Sequence, residues 1–432
     1  VLRLIKSKSL ARLRKQVEPI EPELFSRFLC EWHGVVEPDT SRDAMHRALD
    51  LLQGAPLVAS ELETRILPAR VAGFSPSELD LMCARGELVW RGIEPLGPRD
   101  GRIALYPKEH YELLAPAAAA LDGELPRCVH ELLSSRGALF FEDILAALGG
   151  FGPELLETLW DMVWAGQLSN DSLEALRSRV RGERSDRRAR VTLHRPRRDA
   201  LAGSEGRWVL LPAIAATETE RRAALCAALL ERWGVLPKEA ARTEGIAGGF
   251  SAIYPVLKAM EEAGRARRGY FVAGLGATQF ARPGAEDRLR ALRGADAAAS
   301  QPVILAATDP ANVYGAVVAF PACAERPLRA AGARVVLLDG KLVAYVARGA
   351  RAVLSFLPPD EPERGVALRG AADGLRRLAQ ESRSMLIESI DGGPAAETDL
   401  GAALVSRGFL GSAQGLLFRP RAARHASAFL PS

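Results

Sequence analysis

Gly248-Gly249-Phe250-Ser251-Ala252-Ile253-Tyr254-Pro255-Val256-Leu257-Lys258, followed shortly by Arg265-Ala266-Arg267-Arg268-Gly269-Tyr270-Phe271-Val272, is the stretch on which the fold turns. The glycine pair reads as a tight turn, and Ser251 as the cap of a helix running from Ala252 to Ala263, with Ile253, Val256, Leu257 and Met260 facing a core. Gly264 stops that helix. The basic stretch after it, followed by Gly274, Gly276 and Gln279-Phe280, reads as the wing. Upstream, Leu225, Ala228 and Leu229 share one stripe of a helix that ends at Trp233-Gly234, and Pro237 opens a short second helix. Helix, turn, helix and basic hairpin make the order of a winged helix.

The same order recurs towards the N-terminus. Helices are expected at Pro22–Glu31, Ser41–Leu52 and Ser60–Val71, and Ser75-Pro76-Ser77-Glu78 reads as a capping box opening a further one. Glu87–Arg91 and Gly101–Tyr106 then alternate as paired strands around Pro98-Arg99-Asp100-Gly101. Another copy, with a short or absent wing, ends on a helix at Pro153–Ala165. Beyond Arg293 five apolar strands are expected at Val303–Ala307, Ala316–Phe320, Arg334–Leu338, Lys341–Val346 and Ala352–Phe356, with Asp339-Gly340 a two-residue hairpin; this density suggests a small β-barrel. A helix at Gly365–Ser384, a strand at Met385–Ile390, a helix at Thr398–Arg407 and a strand at Gly415–Arg419 follow.

The fold class is therefore α+β and helix-rich: tandem winged-helix modules, a small β-barrel and a C-terminal α/β segment. The expected divisions are an N-terminal basic segment (1–21), a winged helix (22–112), a winged-helix-like module (120–176), an Arg-rich linker (177–206), a winged helix (207–293), a β-barrel (300–362) and the C-terminal α/β segment (363–432).

Composition narrows the functional classes. In 432 residues, 48% are hydrophobic and 25% charged, which excludes wholesale disorder, and no apolar run reaches the ~20 residues of a membrane span. The five cysteines are dispersed without a C-x-x-C pair, and the six histidines are scattered, so neither a disulfide framework nor a metal site is expected. The chain starts at Val1 without a signal-peptide layout and reads as a piece of something longer. The net charge of +4 conceals a local extreme: between Arg177 and Arg198, ten arginines meet only Glu183 and Asp186, which leaves −4 on the remainder. Such a run reads as a solvated interdomain tether able to attract phosphates.

Several blocks together resemble the C-terminal region of the large helicase-related (Lhr) family of superfamily 2 ATP-dependent DNA helicases: Leu67-Pro68-Ala69-Arg70-Val71, Trp90-Arg91-Gly92, Gly101–Tyr106, the stretch from Gly248 to Lys258, Arg268–Val272 and Thr308-Asp309-Pro310-Ala311-Asn312. The resemblance implies a string of winged helices ending in a barrel, binding to DNA, assembly into homo-oligomers, with a tetramer suspected, and a cytoplasmic, nucleoid-associated role in bacterial DNA repair. It also implies a 3′–5′ motor that uses ATP and magnesium, yet no G-x-x-x-x-G-K-[ST] loop occurs in this sequence, so no cofactor is expected in the chain itself. A second, more distant resemblance is to the AlkZ and YcaQ type of winged-helix DNA glycosylase. Gln53 matches the first position of that group's Gln-x-Gln motif, Ala55 replaces the second, and Asp309-Pro310 matches its barrel pair. Gln53 and Asp309 are accordingly the weak catalytic candidates for an alternative glycosylase reading; a pure assembly module is the third.

For DNA contact the candidates are Lys258, Arg265, Arg267, Arg268 and Arg282 on the third winged helix, with Tyr270 placed to stack on a base, and Arg99 and Arg102 on the first hairpin. Against these stand plainer readings: a solvated charged helix end, a salt-bridged turn at Asp100, a helix-end role for Gln53 and a turn-starting role for Asp309.

Overall fold

A computed structural model describes residues 18–182, 201–294, 301–323, 325–382 and 384–420. Most of the N-terminal basic segment and of the Arg-rich run lies outside the described residues. The chain forms two units, Val1–Ala295 with Thr308–Val318, and Asp296–Ala307 with Ala319–Ser432.

In the first unit the first winged helix carries helices at Pro22–Trp32, Ala44–Leu52 and Pro76–Ala84, with a π-helical turn at Leu62–Ile66. Its sheet places Gly101–Pro107 between Leu57–Val58 and Leu88–Pro95. Proline at the first helical position suits both Pro22 and Pro76, because that N–H has no intrahelical partner. The capping box expected at Ser75 does not form; its hydroxyl meets the Ser77 hydroxyl at 2.7 Å instead of a backbone N–H.

The second winged helix is built from helices Glu124–Arg136, Phe141–Leu148 and Gly152–Trp164. Its wing is present, and its middle strand comes from an unexpected place. Arg207–Leu210, assigned from sequence to the third module, lies between Leu139–Phe140 and Leu168–Asn170, pairing with both. The stretch 177–206 is thus an excursion between neighbouring strands of one module and not a linker between modules. Its first residues are already structural: in helix Glu174–Arg181, Arg177 forms two hydrogen bonds with Glu63 (2.7 and 2.8 Å) and two with Asp80 (2.7 and 2.8 Å). Arg179 pairs with Glu157 and lies 4.9 Å over the Trp160 ring.

These two modules share one core, from Ala44 and Met45 through Trp90 to Trp160 and Trp208. The strand Leu88–Pro95 meets the helix Gly152–Trp164 so closely that a Cβ on Gly92 would lie 2.4 Å from the Val163 carbonyl oxygen. Only glycine allows that approach.

The third winged helix opens with a capping box not expected from the sequence: Thr217 caps helix Glu218–Trp233, and the Glu220 side chain accepts from the Thr217 N–H. The next long helix runs Gly249–Glu262, with left-handed Gly248 (φ +74°) at its N-cap; Ser251 lies inside the first turn and not at the cap. The wing pairs Arg267–Gly269 with Gln279–Ala281, and Val235–Leu236 completes the sheet. Ile20 bridges Val272 in parallel, so residues just before the first helix augment the wing of the third module.

The second unit holds a six-stranded sheet in the order Val303–Ala306, Arg334–Leu338, Lys341–Val346, Ala352–Ser355, Ser389–Ile390, Gly393–Pro394. Asp339 (φ +52°) and Gly340 (φ +80°) make the expected two-residue hairpin. The expected barrel does not appear as a closed ladder: Val303–Ala306 and Gly393–Pro394 are the sheet's edges among the described residues. Ala316–Phe320 is no strand either. It begins in a tight turn of the first unit, where Gly315 N–H donates to the Val318 carbonyl at 2.7 Å. Helix Glu363–Gln380 covers the sheet through Gly370 and Gly374, where a Cβ would come within 2.7 Å of Leu338 and 2.4 Å of Val336. A small sheet of Met385–Ile387, Gly415–Phe418 and Leu410–Ser412 and the helix Asp399–Val405 finish the unit.

Candidate nucleic-acid interface

The wing of the third module is shaped by one buried amide. Gln279 accepts from the N–H groups of Phe271 and Val272 (2.9 Å each) and donates to the carbonyls of Val272 (2.9 Å) and Gly276 (3.2 Å), fixing the loop from Tyr270 to Gly276. Glu239 accepts from the Gly276 N–H at 3.0 Å, and the Lys238 side chain lies against the same glycine. The start of the second helix and the wing loop are thereby held side by side.

The candidate cations divide into two groups. Lys258, late in helix Gly249–Glu262, and Arg265, just before the wing, are exposed and make no ion pair among the described residues. Arg267 pairs with Glu286, Arg268 with Glu261 (3.3 Å) and the Tyr254 hydroxyl (2.8 Å), and Arg282 with Glu231 (2.8 Å) while facing the Trp32 ring. These three positive charges are locally compensated. Tyr270 is exposed, with its hydroxyl accepting from the Gly274 N–H at 3.0 Å, so the ring is held at the wing surface. Sequence reasoning missed Lys238 and Arg242, exposed cations without ion pairs among the described residues on and beside the short helix Ala240–Thr243. Their signal was available in the stretch from Pro237 to Arg242.

On the first hairpin, Arg102 pairs with Glu94 and Arg99 is exposed. Asp100 does not bind either arginine; it accepts from the Ser60 hydroxyl (2.6 Å) and N–H (3.1 Å) and from the Gly101 N–H (2.9 Å).

The two weak catalytic candidates are both buried. Gln53 follows helix Ala44–Leu52, donates to the Asp50 carbonyl (3.0 Å) and meets His110 Nδ1 through its amide oxygen at 2.7 Å. Its carbonyl receives Arg232, which is paired in turn with Glu244. Asp309 is 1% exposed and accepts both terminal nitrogens of Arg70, at 2.7 and 3.0 Å, together with the Ala311 N–H at 2.8 Å. Burial pushes its carboxyl up, but the Arg70 charge and the hydrogen bonds outweigh this and hold it below the ordinary value. Both oxygens are therefore committed in a dry environment, and neither is offered to solvent.

His33 Nδ1 lies 3.1 Å from Arg70 Nη2, a contact that makes this ring nitrogen the acceptor. Burial, then the adjacent guanidinium, lowers the His33 pKa to about 3, while Cys30 beside them is pushed up to about 12, chiefly by burial. No cluster of metal-ligating side chains occurs among the described residues.

The His33 shift has a measurable sign. The unfolded imidazole protonates near 6.5 and the folded one only near 3, so across that window the unfolded chain binds more protons. Stability is expected to fall as pH drops from 6.5, approaching about 1.4 kcal/mol per pH unit from this group. Urea midpoints measured between pH 4 and 7 should flatten in His33→Gln; an unchanged slope would rule out His33 as the source.

Two family models, each described as "Large helicase-related protein, winged-helix domain", match residues 20–108 and 215–301. The chain is 37% identical over 98% of its length to "Lhr helicase/ probable uracil glycosylase" of Mycolicibacterium smegmatis, and 31% identical over 96% to "Lhr helicase/uracil glycosylase" of Escherichia coli. It spans 29% and 30% of those two relatives. Among solved structures, Streptomyces sahachiroi DNA glycosylase AlkZ aligns with a TM-score of 0.49 at 15% identity, covering 86% of this chain and 100% of that one. Winged-helix matches in the first and third modules, with 37% and 31% identity to two such relatives over nearly all of this chain, lead to one assignment: the chain carries winged-helix domains of the large helicase-related family.

Proposed function

We propose that this chain is a DNA-binding, non-motor C-terminal region of an Lhr-type helicase acting in DNA repair, and that it contacts DNA through the third winged helix. The observation that carries the reading is the placement of Lys258 and Arg265, exposed and without ion pairs among the described residues, on the module whose wing-loop Gly276 packs against the exposed Lys238. Cations whose charge is not already balanced are the ones that gain most from neutralising phosphate. The part of the Arg-rich run that lies outside the described residues adds phosphate attraction on composition alone. ATP and magnesium would be used by a motor in the remainder of such a protein. No helix among the described residues is long and apolar enough to cross a membrane. A cytoplasmic, nucleoid-associated location is part of this proposal.

Lys258→Glu with Arg265→Glu is expected to weaken duplex binding by tenfold or more in fluorescence anisotropy. The log–log salt slope should fall by about 0.9 for each phosphate that is no longer neutralised. Arg267→Ala should do far less, because Glu286 already neutralises Arg267. Unchanged affinity in the double variant would place DNA elsewhere.

Homo-oligomerisation belongs to the same proposal. Phe140 and Phe151, 54% and 68% exposed on the second module, are apolar surface of the kind that subunit contacts cover. Light scattering on the chain gives the mass directly, and a monomer would remove this part. The glycosylase reading would have to use groups other than Gln53 and Asp309, since both are buried in internal contacts.

A further inference from the structure

A cavity of about 680 Å³ opens in the first unit between the extended segment 117–121, helix Glu124–Arg136 and the segment after strand Arg207–Leu210. Its charge is one-sided. Arg91, Arg127 and His130 line it, and no aspartate or glutamate does.

Arg91 reaches the cavity from strand Leu88–Pro95 while only 3% exposed, and no carboxylate pairs with it among the described residues. Its guanidinium donates to the carbonyls of Pro116 (2.6 Å) and Ala117 (3.1 Å). Gly166 makes room for it, since a Cβ there would lie 2.1 Å from Arg91 Nη2. A buried charge satisfied only by neutral dipoles keeps a positive potential in the cavity beside it.

Arg127 and His130, both exposed, stand about one turn apart on helix Glu124–Arg136 at the same cavity. Arg127 donates through Nε to the Gly123 carbonyl at 3.1 Å, and its terminal nitrogens have no partner among the described residues. The remaining walls are mostly apolar, from alanines, Pro126, Leu211 and Ile214, and Gln167 supplies one polar edge, its Nε2 held by the Ala119 carbonyl at 2.7 Å.

We propose that this cavity binds a nucleoside monophosphate unit, with the phosphate on Arg127 and His130 and the base against the apolar wall. The volume lies within the ~300–1,000 Å³ of small-molecule sites. The unit can come from a free nucleotide or from an unpaired position of a DNA strand. This site is separate from the third winged helix and does not depend on DNA contact there.

Calorimetric titration of the whole chain with thymidine 5′-monophosphate, thymidine, inorganic phosphate and a thymidine decamer tests the idea. Thymidine monophosphate should bind, thymidine at least tenfold more weakly, and Arg127→Ala with His130→Ala should weaken the nucleotide tenfold or more. Ala118→Trp, at an exposed lining position, should abolish binding while leaving the thermal midpoint unchanged. In a Lys258→Glu, Arg265→Glu background, displacement of the nucleotide by the decamer at lower nucleotide concentration identifies a strand as the source, and its failure to displace identifies the free nucleotide. Absence of binding by thymidine monophosphate, binding that survives Ala118→Trp, or inorganic phosphate competing as well as the nucleotide would overturn the proposal. Retained nucleotide binding in the Lys258→Glu, Arg265→Glu chain with duplex affinity also retained would sink the DNA-interface reading and leave this one standing.

Discussion

Asp309→Ala is expected to destabilise the first unit by about 3–5 kcal/mol, the range seen when one partner of a buried ion pair is removed. Arg70 would remain 2% exposed with its charge no longer opposed, and the Ala311 N–H would lose its acceptor. Urea unfolding followed by tryptophan fluorescence reads the loss. Replacing both partners together, Arg70→Met with Asp309→Leu, should recover most of it, because no isolated charge is then left in a dry site. The recovery matters more than the loss. A catalytic aspartate would give a folded, inactive Asp309→Ala protein, whereas this arrangement predicts a poorly folded one that a second apolar substitution rescues. A loss below about 1 kcal/mol would contradict the buried pair.

Trp90→Ala should cost a similar ~3–5 kcal/mol, and in a way that reports on two modules. The indole is fully buried in the first winged helix, yet its N–H points at the Asn170 (3.0 Å) and Ser172 (3.1 Å) carbonyls of the second, and the Ser169 hydroxyl returns a 2.6 Å bond to the Trp90 carbonyl. With Gly92 and Gly101 packed against Val163 and Trp164 alongside, the two modules are expected to melt in a single transition in the wild type. In Trp90→Ala that transition should move to lower temperature as a whole; separation into two calorimetric peaks would show that the shared core does not couple them.

Much of this fold was legible. Proline at helix starts, glycine at turns and the Asp339-Gly340 hairpin are local signals that survive tertiary context, so most long helices and the hairpins stand where periodicity and turn chemistry put them; the helix expected at Ser60–Val71 is instead a single turn at Ala59–Glu61 followed by the π-helical turn Leu62–Ile66. What escaped depends on distant partners. Arg207–Leu210 is only four residues long and lies next to a charge run, so nothing nearby says which module its ladder joins. Ala316–Val318 is as apolar as a strand because it is a buried turn. Ser75 has the right spacing for a capping box, but its hydroxyl has a nearer partner.

The candidate site divides along the same line. That Lys258 is exposed follows from helical periodicity. That Arg267, Arg268 and Arg282 are neutralised does not, since Glu286, Glu261 and Glu231 belong to other elements. Asp309 reads as a turn starter from its sequence, and the turn is there, with the Ala311 N–H on its side chain. Its pairing with Arg70, 239 positions away, carries no sequence signal at all.

The strand Arg207–Leu210 also governs how this protein can be taken apart and in what order it can assemble. It is the middle strand, so a polypeptide ending near residue 176 holds Leu139–Phe140 and Leu168–Asn170 with no backbone partner for either, and Trp160 without the edge-on Trp208 ring at 5.6 Å. During synthesis the second module therefore waits for the far side of the arginine run before its sheet can close. The first module has its own complete sheet and shares its core with that unfinished module. A dissection that respects this order places its cut beyond Leu210, ahead of the capped helix that begins at Glu218.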